Sequence, residues 1–213
     1  MAQIRKVPGA DGVYEVEGLG FKFKLNEWRV GDVKDSVSLP SGAVSTSAKY
    51  YFFRDVTNKN LQHSNQDNNA GRMLAHTDLI INRISVYPTQ AYGNVVATDA
   101  DIIKLAHAAV FEMFINGNRK VTDSPLYQLP SGYGVSGSTT RNNTGVVTIG
   151  TANAAAAPQL LVAQKLSPND SFRGELTFYD NLWIDGTSRM PTFDQRLVVT
   201  ALLEGLIKRD ANA

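Results

Sequence analysis

Cysteine is absent from this chain of 213 residues, which excludes a disulfide framework, thiolate metal sites and a cysteine nucleophile together. An excess of charge of either sign is lacking too, since 21 Lys and Arg stand against 20 Asp and Glu for a formal net charge of +1. That balance offers no global attraction to nucleic acid or to an anionic membrane, so a charge-driven genome-binding protein is not expected. There is no window of roughly 18 apolar residues for a membrane-spanning helix, and the first residues carry no apolar signal core. The expectation is a protein made and folded in a cytoplasm. No solenoid or propeller repeat is visible.

What the chain does hold is apolar content, 43% of residues, enough for a sizeable core at a length where one all-β domain is ordinary. Residues 13–25 alternate apolar and charged side chains, the period of a half-buried strand, with Phe21, Phe23 and Leu25 facing inward. Residues 26–47 are rich in Gly, Ser and Val without helical period and read as a loop with one short strand, so that 1–47 forms an N-terminal arm or excursion. Aromatics concentrated at 49–56 predict a strand, followed by a polar loop over 58–69. Residues 78–87 predict another strand, ended by Pro88, with Ile81, Arg83, Ser85 and Tyr87 on the face opposite Asn82, Ile84 and Val86.

A short helix is predicted near 98–108, with Thr98 as N-cap and Asp99 and Asp101 at the positive end of the dipole. A strand over 110–117 then ends in the hairpin turn Asn116-Gly117. Residues 129–144 read as a sharply turning loop, and 146–149, 159–163, 171–179 and the tail 193–209 as further strands. The tail also permits a helical reading, in which Leu197, Ala201, Leu202 and Gly205 share a face. In total about eight or nine strands are expected, at spacings suited to a sandwich.

Candidate chemistry is thin. His63, His76 and His107 lack the close spacing of a zinc site and read as surface or packing residues. The glycine-rich stretch 132–137 has neither the Gly-x-Ser-x-Gly order of a nucleophile elbow nor the ending of a phosphate loop. Asp99, Asp101, Asp180 and Asp185 could supply a carboxylate pair for glycoside hydrolysis, but no spacing selects them, and helix-start and loop roles account for them. Two matches to a glycosylation sequon, at Asn142 and at Asn169, read as chance without a signal peptide. Aromatics in or beside loops, Trp28, Tyr87, Tyr92, Tyr133 and Trp183, fit core filling, subunit contact or a carbohydrate platform. No catalytic residue, cofactor or metal is assigned.

The series YFFRDVTNK (51–59) with its polar loop and the strand to Pro88 resembles the jelly-roll capsid proteins of tailless icosahedral bacteriophages. So does the later order of FINGN (114–118), SPLYQLPSG (124–132), FRGELTF (172–178) and the closing segment, covering roughly 49–209. The resemblance implies two four-stranded sheets packed face to face, a single jelly-roll β-sandwich of about eight strands with one short helix, filling residues 1–213. Many such phages carry an internal membrane and a double jelly roll, for which this chain is too short. The expectation is a non-enzymatic major capsid protein of the virion, assembled in the host cytoplasm from copies of itself. A minor capsid or penton protein and an internal membrane are the further partners the resemblance allows, with no specific nucleic acid, since the basic arm of genome-binding capsids is missing. Loops are where such contacts would form, and Trp28, Asn65, Tyr92, Tyr133 and Trp183 are the interface candidates. The alternative is a carbohydrate- or receptor-binding β-sandwich of the spike type.

Overall fold

The computed structural model describes residues 4–16, 20–24, 27–45, 48–61, 63–66, 70–89, 99–129, 159–179 and 190–209. The expected strand at 146–149, the loop 130–144, Thr98, Leu25 and the segment 180–186 lie outside the described residues.

Strands β1 (Ile4–Lys6), β2 (Val13–Val16) and β3 (Phe21–Lys24) form a small antiparallel sheet in that order. They are followed by β4 (Trp28–Leu39), β5 (Gly42–Ala43), β6 (Lys49–Phe52) and β7 (Thr77–Thr89), then by the helix α1 (Asp99–Ala108). Next come β8 (Ala109–Ile115), β9 (Arg119–Pro125), β10 (Gln159–Leu166), β11 (Phe172–Phe178), β12 (Thr192–Phe193) and β13 (Leu197–Arg209). The described residues thus hold more strands than the eight or nine expected, because short strands outside the sandwich add to the count.

Eight of these strands build two four-stranded sheets, ordered β10-β7-β13-β4 and β6-β11-β8-β9. Their pairing is nested. The first sandwich strand, β4, pairs with the last, β13; the second, β6, with the next to last, β11; then β7 with β10 and β8 with β9. A long hairpin rolled onto itself makes these pairs, and the roll is closed by β13 beside β7 and β11 beside β8. This is the winding of a jelly roll.

Inward faces follow the two-residue period. Along β8, Ala109, Phe111, Met113 and Ile115 are buried while the residues between them are half-exposed. They share one cluster with Phe52, Phe172, Leu176 and Phe178 of their own sheet and with Leu79, Ile84, Val86, Leu197, Val199 and Leu203 of the other. The Phe52 and Phe111 rings sit edge to face at 5.7 Å. Burial of each such side chain is worth about 1.5–3 kcal/mol. Leu105 of α1 joins the cluster, so the helix packs against the sandwich through an apolar contact.

A second cluster lies on the outer side of the β10-β7-β13-β4 sheet. Trp28, Ile80 and Ala163 point outward there and are covered by Val16 and Phe23, with Phe21 and Leu206 alongside. Strands β1, β2 and β3 therefore contribute a third layer instead of the expected arm. Residues 28–39, expected as loop, form a twelve-residue strand. Its period was obscured because one of its inward positions is a charged residue, Asp35, which is fully buried.

Two further expectations are corrected in β7. Pro88 does not end the strand; it stands opposite Val199 of β13, beyond the last described β10 partner, at Arg83. Among the described residues no strand pairs with β7 on that side of Pro88, and a missing N–H on an unpaired flank costs no ladder bond. Ile81 also shares the inner face with Ile84 and Val86 instead of opposing them, because the register against β13 slips by one residue at Asn82. Such a bulge reverses the parity of every later side chain.

Candidate subunit-contact surface

β4 is an edge strand, and an uncovered edge is a template for another chain. The middle of this edge is covered by the loop after β6. The Asn65 side chain acts as a substitute peptide group: its Oδ1 accepts the Lys34 N–H at 2.8 Å and its Nδ2 donates to the Asp32 carbonyl at 2.9 Å. The Asn65 N–H donates to the Lys34 carbonyl at 3.3 Å, and the Ser64 hydroxyl reaches the same oxygen. Asn65, an expected interface residue, is half-buried and engaged within its own chain.

Asp35 fastens the same loop from inside. Its carboxylate accepts the Phe53 N–H at 2.6 Å and the Lys59 ammonium at 2.8 and 3.0 Å. Phe53 presents that N–H because it turns left-handed at φ 65°, ending β6 one residue after Phe52 and tucking its own ring into the core. Burial pushes the Asp35 carboxyl above its ordinary value, against the opposing pull of Lys59 and the Phe53 N–H. Beside the loop an open notch of about 230 Å3 is lined by residues including Ser38, Lys59, His63 and Arg196.

The outer face of the β6-β11-β8-β9 sheet is a ladder of paired charges. Glu175 accepts from Lys49 at 3.0 Å and from the Arg173 Nε at 2.8 Å, while Lys120 joins Glu112 to Asp123. Burial would raise the Glu175 carboxyl, but the Arg173 and Lys49 hydrogen bonds outweigh it and hold it below its ordinary value. On the opposite sheet, burial raises Glu204, which faces Arg83 at 3.6 Å.

Large apolar and aromatic side chains are exposed at separate places. Val30, at 86% exposure, stands on β4 beyond the part covered by Asn65, and Leu61, at 73%, tips the covering loop. Tyr127 and Tyr179 are exposed near the C-terminal end of α1: Tyr127 stacks on His107 at 5.8 Å, and the Tyr179 N–H donates to the Ala108 carbonyl at 3.1 Å. Sequence reasoning missed both tyrosines because each sits at the end of an expected strand or turn, where nothing in the pattern marks its exposure.

Of the other expected interface residues, Trp28 is buried, its ring 5.2 Å from Phe21 and 5.7 Å from Phe23, and so it fills the outer layer instead of facing a partner. Tyr92, Tyr133 and Trp183 lie outside the described residues, as do Asp180 and Asp185. Asp101 is buried in a supporting position: its carboxylate accepts the N–H groups of Asp194 and Gln195 at 3.0–3.2 Å and an ammonium hydrogen from Lys104. It ties α1 to the turn before β13. Among the described residues no group of three or more His, Asp or Glu is placed to hold a metal ion.

Comparison of the chain with protein-family models and with characterised proteins finds no match.

Proposed function

We propose that this chain is a viral structural protein, the major capsid protein of an icosahedral shell built from repeated copies of itself, located in the virion and assembled in the host cytoplasm. The observation that carries the reading is the nested pairing of eight strands into a single jelly roll. It is an inference from fold, and jelly rolls also serve lectins and cupins. Two features of this chain support it beyond the fold. Apolar side chains stand exposed at several separated places, Val30, Leu61, Val162, Tyr127 and Tyr179, as a subunit with more than one neighbour needs. Asp101, an acidic residue weighed as catalytic, is taken up in framing the fold. A minor or penton protein would complete the shell, and an internal membrane is the further contact to test.

Mass photometry and negative-stain imaging of the purified protein across salt and concentration test this. Rings or closed shells are the expected outcome. A strict monomer under every condition, alone and with the other structural proteins of the same virion, would sink the proposal.

A second reading, a carbohydrate-binding module, is favoured by Tyr127 and Tyr179, two exposed aromatic rings anchored to one end of α1. Rings of that kind stack on sugar faces. A glycan array separates the two readings: binding by a monomer that both tyrosine substitutions abolish would select the module.

A further inference from the structure

At one end of the sandwich, an open cavity of about 210 Å3 is bounded by three connections: the residues after β6, the β8–β9 turn and the β10–β11 turn. Arg54 and Arg173 line it together with Gly71, Gly117, Ser171 and Phe114, and among the described residues none of the lining is acidic. We infer that this cavity is a binding site for a phosphate group, presented as inorganic phosphate or as a small phosphate monoester. The inference stands apart from the capsid reading.

Both guanidinium groups are held in place before any ligand arrives. Arg173 stacks on the Phe114 ring at 4.3 Å, donates its Nε–H to Glu175 at 2.8 Å and donates from Nη1 to the Gly117 carbonyl at 2.6 Å. Arg54 lies 4.7 Å over the Tyr51 ring, and among the described residues no carboxylate pairs with it. A cation laid on an aromatic face keeps its edge available to donate; with Arg173 already engaged by Glu175 and Gly117, Arg54 brings the charge that no described carboxylate pairs with. The wall is braced by the backbone of Arg72, which follows Gly71 directly and bridges the backbone of Ser171. Arg54 and Arg173 reach the cavity from different segments of the chain, and a tetrahedral oxyanion has acceptor oxygens for more than one guanidinium, whereas a carboxylate is satisfied by a single fork.

Size and surroundings narrow the ligand. The cavity is smaller than the roughly 300–1,000 Å3 of sites for drug-sized molecules, so it takes a charged group and not an extended organic body. On the adjoining sheet face Lys49 and Lys120 are each paired with carboxylates, and the whole chain carries only +1. A polyanion would find one anchor here and no path.

The test is titration of the full chain with inorganic phosphate, ribose 5-phosphate and a single-stranded oligothymidylate, read by calorimetry and by the backbone amide signals of Gly71 and Gly117. Saturable one-to-one binding of the phosphate, the monoester or both is expected, with those amides shifting. Arg54→Gln should weaken it at least about tenfold, the loss of one charge-assisted pair, with Tm unchanged because Arg54 is exposed. Arg54→Lys should fall between the two. Free phosphate binding as well as the ester assigns the site to the phosphate alone; tighter ester binding adds the sugar as a contact. The inference is overturned if the amides do not saturate, if Arg54→Gln binds like the parent, or if the oligothymidylate binds far more tightly than ribose 5-phosphate with a steep salt dependence, the mark of a nucleic-acid surface.

Discussion

Gly205 on β13 lies so close to the carbonyl oxygen of Ile80 on β7 that a Cβ at position 205 would overlap it, with the Asn82 nitrogen 3.1 Å away on the other side. The bulge at Asn82 and this glycine are two halves of one feature: the extra residue bends β7 toward β13, and only a residue without a side chain leaves room for it. Gly205→Ala should therefore destabilise the protein by at least about 2 kcal/mol, since backbone and not a side chain must move. Gly31→Ala is the control, because its Cβ would meet the Ile207 Cγ2 at 2.5 Å, a side-chain end that can shift. Urea unfolding of both variants checks this, and equal losses would refute the pairing of bulge and glycine.

Asp35 provides a pH signature. Its carboxyl is raised above 3.8 by burial, with Lys59 and Phe53 opposing. A folded value above the unfolded one means that its contribution to stability is fully present below about pH 3.8 and is lost as pH rises through the folded value. The stability of the parent minus that of Asp35→Asn should thus decline from acid toward neutral pH. Glu204 is raised as well, but it is common to both proteins and cancels. A difference that grows with pH would show that the Lys59 pair outweighs burial.

Removing the carboxylate altogether is a different matter. Asp35→Ala strands the buried Phe53 N–H and leaves the Lys59 ammonium, 20% exposed at its side chain, without its partner. The expected loss is about 3 kcal/mol at neutral pH, measured by denaturant unfolding. A loss under about 1 kcal/mol would mean that water replaces the carboxylate.

The sequence made the jelly roll legible where its strands alternate on two buried faces, as in β8 and β11, and where Asn116-Gly117 marks a hairpin; both residues do take positive φ, 49° and 86°. It hid β4 because Asp35 occupies an inward position that pattern reading reserves for apolar residues. It hid the bulge because Asn82 looks like any solvent-facing residue until Gly205 is seen opposite. Trp28 read as a loop aromatic because β4 was hidden and two of the residues it packs with, Ile80 and Ala163, are distant in sequence. The Arg54–Arg173 cavity was illegible for the same reason, its walls coming from segments more than a hundred residues apart in sequence.

Asn65 tests how edge protection limits association. Asn65→Ala removes three hydrogen bonds to β4, one from the Lys34 N–H and two to the Asp32 carbonyl and carboxylate, at a cost of about 1–2 kcal/mol. The Lys34 amide should then exchange faster with deuterium, and the freed edge next to exposed Val30 should form concentration-dependent oligomers. Light scattering after size exclusion reads the second effect. Unchanged exchange at Lys34 would show that the Asn65 side chain is not what protects that N–H.

Tyr127 and Tyr179 decide between shell and sugar. Both rings are 53% exposed, so Tyr127→Ser and Tyr179→Ser should each change stability by no more than about 0.5 kcal/mol, and any functional loss is then a loss of contact. In a capsid protein, both substitutions reduce assembly: each removes an aromatic from a contact patch, where a buried tyrosine often carries about 2 kcal/mol or more of binding, roughly thirtyfold in association. In a lectin, assembly is untouched and glycan affinity falls. Measuring particle yield and glycan binding on the same two variants separates the outcomes, and a double variant that keeps both activities would remove this end of the sandwich from either role, leaving Val30 and Leu61 as the contact residues to substitute next.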